Sequence, residues 1–275
     1  MKGILPSLAL LLASSGGPRP LQDADRPAPP RAEDPADIAR RAGADREAKE
    51  KLLRTFAEKG IFLDAERGRI EIEGRMNFPH MPVEYLLTSR RGATHECLFV
   101  TDASPSLLTA AVFVLGLERG KNVEYKVKEP PPTEEEMRAG VSPYETIPPR
   151  GDGLYVYVEW TEGEEVRQYR VEDLIQNDRT GRALPRQPWV FLGSRFVRTA
   201  RGDPEVFAAE AEGNLVAVTY FALGNQIFTY PHPDAATQNA FTPNAALLPD
   251  RGSPVRIIFS RQRLERSFSS ERRNG

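Results

Sequence analysis

The chain has 275 residues with a formal net charge of −2; 40% are hydrophobic and 28% charged. This suits one large globular domain or two small ones, and it offers neither the clustered basic face of a nucleic-acid binder nor the excess of cations that seeks an anionic membrane. A single cysteine, Cys97, excludes an intramolecular disulfide and points to a buried thiol, since a domain of this size can bury enough apolar surface without staples.

The first residues follow the order of a secretory signal peptide. Lys2 is basic, Ile4 to Ala13 is mostly apolar, and Ala13 to Gly17 is small. The apolar run is about half the roughly 20 residues that a membrane-spanning helix needs. Residues 1–15 are therefore expected to direct export to the periplasm or the extracellular space. No cysteine lies nearby to accept a lipid, so the exported protein is expected to be soluble, without a stable membrane span. Residues 16–43 are rich in Pro, Ala, Asp and Arg and almost without large apolar side chains. They read as a disordered linker ending just before Asp45.

From there the pattern is that of a folded domain over 44–260. Leu52, Leu53 and Phe56 at helical spacing predict an N-terminal helix closed by Gly60. Ile61–Leu63 and the alternating run Arg69–Glu73 predict a hairpin. Val83–Thr88 and Thr94–Val100 then continue an antiparallel meander. Ser104 as N-cap and Pro105 at the first position open the clearest helix, whose apolar stripe predicts burial against the sheet. The Pro- and Glu-rich segment 127–153 reads as an exposed insertion loop. Further strands are expected at Leu154–Trp160, Val166–Val171, Trp189–Phe196, Asn214–Phe221 and Val255–Phe259, with a helical turn at Val171–Ile175. Residues 261–275 read as a solvated tail. The sum is an α+β fold: mainly antiparallel sheets of short strands, one buried helix and an N-terminal helix.

Several of these pieces, in this order, are similar to one family. They are the hairpin at Gly68–Gly74, His95-Glu96-Cys97-Leu98-Phe99, and Pro105 with Leu108, Ala111 and Leu115-Gly116. Tyr155 to Trp160, Val171 to Ile175, Trp189 to Ser194 and Gly252 to Val255 follow. Across about residues 60–260 the chain resembles the YdjY-like domain family of exported bacterial proteins, whose function is uncharacterised. The resemblance implies the domain limits but no reaction, cofactor or ligand. Members often carry Ser at the position of Cys97, which implies that the thiol is not essential.

Candidate site residues are few. On a strand, His95 and Cys97 would share one face and Glu96 the other, giving at most two zinc ligands where a structural site takes four and a catalytic one normally three. His80 and His232 lie in Pro-flanked loops with nothing to bring them near. No metal site and no cofactor is therefore expected. The same spacing is poor for a Cys–His nucleophile pair. Gly193-Ser194 does not form a nucleophile elbow, because position 196 is Phe; a Gly bulge within a strand is the expectation. Tyr155 and Tyr157 share a strand face and either line a groove or pack as cross-strand pairs. Two functions follow. The first is a non-catalytic binding protein of the cell envelope, for an unknown ligand or envelope protein, with His95, Glu96, Ser194, Tyr155 and Tyr157 as candidate contacts. The alternative is an enzyme or metal-binding protein centred on His95 and Glu96.

Overall fold

The computed structural model describes residues 32–79, 82–198, 200 and 202–264. The predicted signal segment 1–15, the linker stretch 16–31 and the tail beyond Leu264 lie outside the described residues.

In chain order the first elements are α1 (Pro35–Ala44), α2 (Arg46–Glu58), β1 (Ile61–Asp64), β2 (Arg69–Met76), β3 (Tyr85–Ser89), β4 (Cys97–Thr101) and α3 (Pro105–Val114). An excursion follows, made of β5 (Glu124–Val127), α4 (Glu134–Arg138) and β6 (Tyr144–Ile147). Next come β7 (Gly153–Glu162), β8 (Glu165–Arg170), β9 (Ile175–Asn177), β10 (Arg182–Ala183), β11 (Trp189–Phe191), β12 (Phe196–Val197) and β13 (Val206–Phe207). The chain continues through α5 (Ala208–Glu212), β14 (Asn214–Ala217), β15 (Phe228–Thr229), β16 (Phe241–Pro243) and β17 (Pro254–Ser260).

Eight strands form a closed barrel in the order β2-β17-β7-β11-β15-β14-β3-β4 and back to β2. Strands β1 and β8 extend it as flaps on β2 and β7. Alternation places Ile70 and Ile72, then Val255, Ile257 and Phe259, then Leu154, Val156 and Val158 on the core side. Their neighbours Glu71, Glu73, Arg256, Tyr155, Tyr157 and Glu159 take the outer side, as the period of two requires. The α+β class is as expected, and the sheets are mostly antiparallel. The expected meander is not formed, because most neighbours in the barrel are not consecutive in the chain, and two pairings are parallel, β3 with β4 and β14 with β15.

Helix α3 forms as its cap predicts. Ser104 Oγ accepts from the Leu107 amide, Pro105 occupies the first turn, and Gly116 at φ +80° ends the helix. Its Leu108, Ala111 and Val112 are fully buried, and Phe113 meets Phe191 edge-on at 5.2 Å. Helix α1 is a correction, because all of it but Ala44 falls in the 16–43 stretch expected to be linker. Asp34 caps it through the Ala36 amide, and its small buried faces, Ala39 and Ala42, let it lie close against α3. Alanine suffices where two helices approach closely, so the lack of large apolar residues did not mean disorder. The 127–153 segment is exposed, as expected. It is nonetheless folded: β5 and β6 pair, and α4 carries a capping box between Thr133 and Glu136.

The tail is a second correction, since its first residues are tied down. The Arg261 amide donates to Gly68 O at 2.9 Å, its Nη1 to Leu115 O at 2.6 Å, and the Leu264 amide to Tyr157 Oη at 2.8 Å.

Phe228 sits in the barrel between Phe191 and Phe259, with ring centroids 5.4 and 5.2 Å away. Phe228→Ala is expected to cost about 3–5 kcal/mol in urea unfolding; a loss below about 1 kcal/mol would show that these rings do not form the core.

Candidate functional site

Two concavities of the described surface gather polar side chains. The larger is an open groove of about 1070 Å³ beside the seam where the barrel closes. Its floor is Gly74 of β2, Val100 of β4, Val255 of β17 and Trp160 of β7. The backbone is closely approached at Gly74: a Cβ would stand 3.0 Å from Ile257 Cδ1 and 3.1 Å from Val100 O, so these neighbours would have to give by a few tenths of an ångström to admit a side chain. Along the rims, Arg90 grips Asp102 with two hydrogen bonds of 2.6 and 2.9 Å and holds its carboxyl below the usual range. Opposite them Arg256 lies between Glu71 and Glu159, at 3.5 and 3.9 Å. Trp160 stacks on Tyr169, with ring centroids 5.2 Å apart.

The smaller concavity, about 180 Å³, lies on the outer side of β7 and β8 and is lined by Tyr157, Gln168, Tyr169, Arg170, Asp173, Arg186, Arg263 and Leu264. Tyr155 and Tyr157 do share a face here. The Arg170 guanidinium lies over both rings, 5.0 and 5.2 Å from their centres. Behind it Glu172 is fully buried and takes four donors: Arg170 Nε at 2.9 Å, Arg170 Nη2, the Gln187 amide at 3.3 Å and Trp189 Nε1 at 3.1 Å. Burial pushes this carboxyl up, while the Arg170 fork and the Gln187 amide oppose the shift. The pair ties β8 to the turn before β9 and to β11. Removing one partner alone would strand a buried charge.

The remaining candidates do not join these sites. His95 and Glu96 are not on a strand: Thr94–Glu96 is a 3-10 turn, and β4 begins at Cys97. Asn77 Nδ2 donates to Thr94 O and Cys97 O, and Asn214 Oδ1 accepts from the Ala93 amide; these long-range bonds turn the chain there. His95 and Cys97 therefore share no strand face. The His95 side chain is 63% exposed, with Nε2 3.4 Å from Glu96 Oε1, while Cys97 is fully buried. Its thiol donates to Phe99 O, and burial pushes it up to about 12. Glu84, half-buried beside Glu96 and His95, has its carboxyl raised by desolvation and then by Glu96.

Ser194 is also not on a strand. β11 ends at Phe191, and the chain turns through Gly193 and Ser194 at φ +71° and +52°. Ser194 Oγ donates to Asn225 O at 2.6 Å and accepts from the Ala209 amide at 3.1 Å, so it serves to hold α5. His232 stacks on Tyr230 and accepts from the Asp234 amide, and His80 lies outside the described residues. Among the described residues, no group of three or more His, Cys, Asp or Glu side chains could hold a metal. Sequence reasoning did not find Arg170, Glu172, Arg186 and Arg263, because charge in a turn or a tail reads as solvated. The Val171–Ile175 turn after β8 was the available signal.

Two outcomes follow. A carboxyl whose folded pKa lies above its unfolded value stabilises the fold while protonated, and that contribution is lost as pH rises through the folded value. Glu84→Gln should therefore gain in melting temperature relative to the parent between about pH 4 and 7; a flat or falling difference would refute the desolvated carboxyl. Cys97 should react with a thiol reagent only after denaturation, and rapid labelling of the folded protein would contradict its burial.

No helix among the described residues is long and apolar enough to cross a membrane. No curated protein and no solved structure matches the chain. The YdjY domain matches residues 61–260, which takes in the whole barrel from β1 to β17. The chain thus belongs to the YdjY domain family.

Proposed function

We propose that the protein is an exported, non-catalytic binding domain that takes an extended polar ligand, such as a segment of an envelope protein, into the groove at the barrel seam. One observation carries this reading. The groove is at the upper end of the roughly 300–1,000 Å³ of small-molecule sites, yet it is open, with a short apolar floor and charges of both signs on its rims. Such a surface suits a chain laid along it better than a compact molecule enclosed by it. Both Arg90–Asp102 and Arg256–Glu159 can exchange partners with a ligand's own charges, favouring specificity over raw affinity. Export is supported by the basic, apolar and small order of residues 1–15. A raised Glu84 carboxyl beside His95 and Glu96 is what favours the alternative of an enzyme or metal-binding protein centred on that turn.

Val166 is 63% exposed on the groove wall and can be changed without touching the core. Peptides selected from a random display library on the folded domain should shift the amide signals of Gly74, Val100, Trp160 and Val255. Val166→Arg should weaken them about tenfold or more with an unchanged melting temperature, as a charge in the path of an apolar contact would. Peptides that map away from the groove, or stoichiometric zinc that His95→Ala releases, would overturn the reading.

A further inference from the structure

We infer that the small pocket between β7, β8 and the Arg261–Leu264 segment is a binding site for a single oxyanion group, a phosphate or carboxylate, held by Arg263 together with Arg170 and Arg186. Three guanidiniums line it, with one carboxylate, Asp173, while the buried Glu172 lies behind Arg170. Arg170 is taken by Glu172, and Arg186 by Asp173 through two bonds of 2.8 and 2.7 Å. Arg263 has only a ring contact, 5.6 Å above Tyr155, and among the described residues no carboxylate within ion-pairing distance. One positive charge is thus left over in a partly enclosed space.

Donors also remain. Among the described residues, no hydrogen bond uses Nη1 of Arg170 or of Arg186. The guanidinium is the group that suits planar or tetrahedral oxyanions, because it presents parallel N–H bonds. Glu172 and Asp173 fix the orientation of Arg170 and Arg186 before any ligand arrives, and the rings of Tyr155 and Tyr157 support Arg170 from below. Preorganised donors lose little entropy on binding. At about 180 Å³ the pocket is below the size of drug-sized ligand sites, so it takes one charged group and leaves the rest of the ligand outside. Leu264, held by Tyr157 Oη, forms one wall, so occupancy would also steady the strap from Arg261 to Leu264.

The test uses the full chain, with inorganic phosphate and acetate as separate probes titrated at constant ionic strength with chloride as the balancing salt. One or both should raise the melting temperature saturably, and the one that does so identifies the oxyanion class. Arg263→Gln should weaken that effect about tenfold or more. Its melting temperature without the probe should stay unchanged, because Arg263 makes no ion pair for the fold to lose. Gln168→Glu, a second variant that adds negative charge to the pocket, should also weaken the effect, with a lower melting temperature of its own because Gln168 Nε2 donates to Glu159. Val166→Arg, which alters the groove, should leave the effect intact, so the two proposals fail separately. No saturable effect beyond that of chloride, or one that survives Arg263→Gln, would overturn the inference.

Discussion

The architecture depends on how β2 closes the barrel. β2 is shared among three neighbours: its first half pairs with β1, most of its length pairs with β17, and only its last two residues reach β4, Arg75 opposite Val100 and Met76 opposite Phe99. Two pairs are a slender closure for an eight-stranded ring, and other bonds reinforce it. Thr101 Oγ1 donates to Glu73 O and the Asn77 amide to Leu98 O. Because closure leaves no free edge at the seam, the barrel avoids one site of strand-to-strand aggregation. It also leaves the strands diverging there, and the groove occupies that divergence.

The outer side of the same strands is not a simple solvated face. Next to the seam it carries charged pairs, with Arg256 between Glu71 and Glu159. Towards the chain end it becomes aromatic and closed, where Tyr157 and Ile258 are buried under Arg170 and the strap. Burying Arg170 and Glu172 costs desolvation on both sides. The four donors on the carboxylate, the carbonyl of Gln187 and the two tyrosine rings offset that cost. The barrel thus presents one open polar surface and one smaller, partly enclosed cationic pocket on neighbouring parts of a single sheet.

Much of this was legible in local sequence. β2, β7 and β17 follow from alternation, and α3 from Ser104, Pro105 and its apolar run, because each depends on residues within a few positions of one another. Helix α1 was not legible, since its partner surface on α3 lies some seventy residues away and accepts alanine. The His95–Cys97 region read as strand because the residue types suit one. The turn there comes from Asn77 and Asn214, which no local window contains. Tyr155 and Tyr157 were found on one face by periodicity alone, whereas the arginines that make their surroundings chemically distinctive came from β8, a loop and the tail.

The sequence by itself determined the α+β class, the family and the placement of most strands, because these rest on short-range periodicity, capping and the order of motifs. Only the tertiary structure decided that the strands close into a barrel, that β3 and β4 run parallel, and that Ser194 is a buried link while His95 is exposed. It alone brought Arg170, Arg186 and Arg263 to one pocket. The reason is physical: charged side chains carry no periodic signal, and whether they are solvated or gathered depends on which distant segments the closed barrel lays beside them.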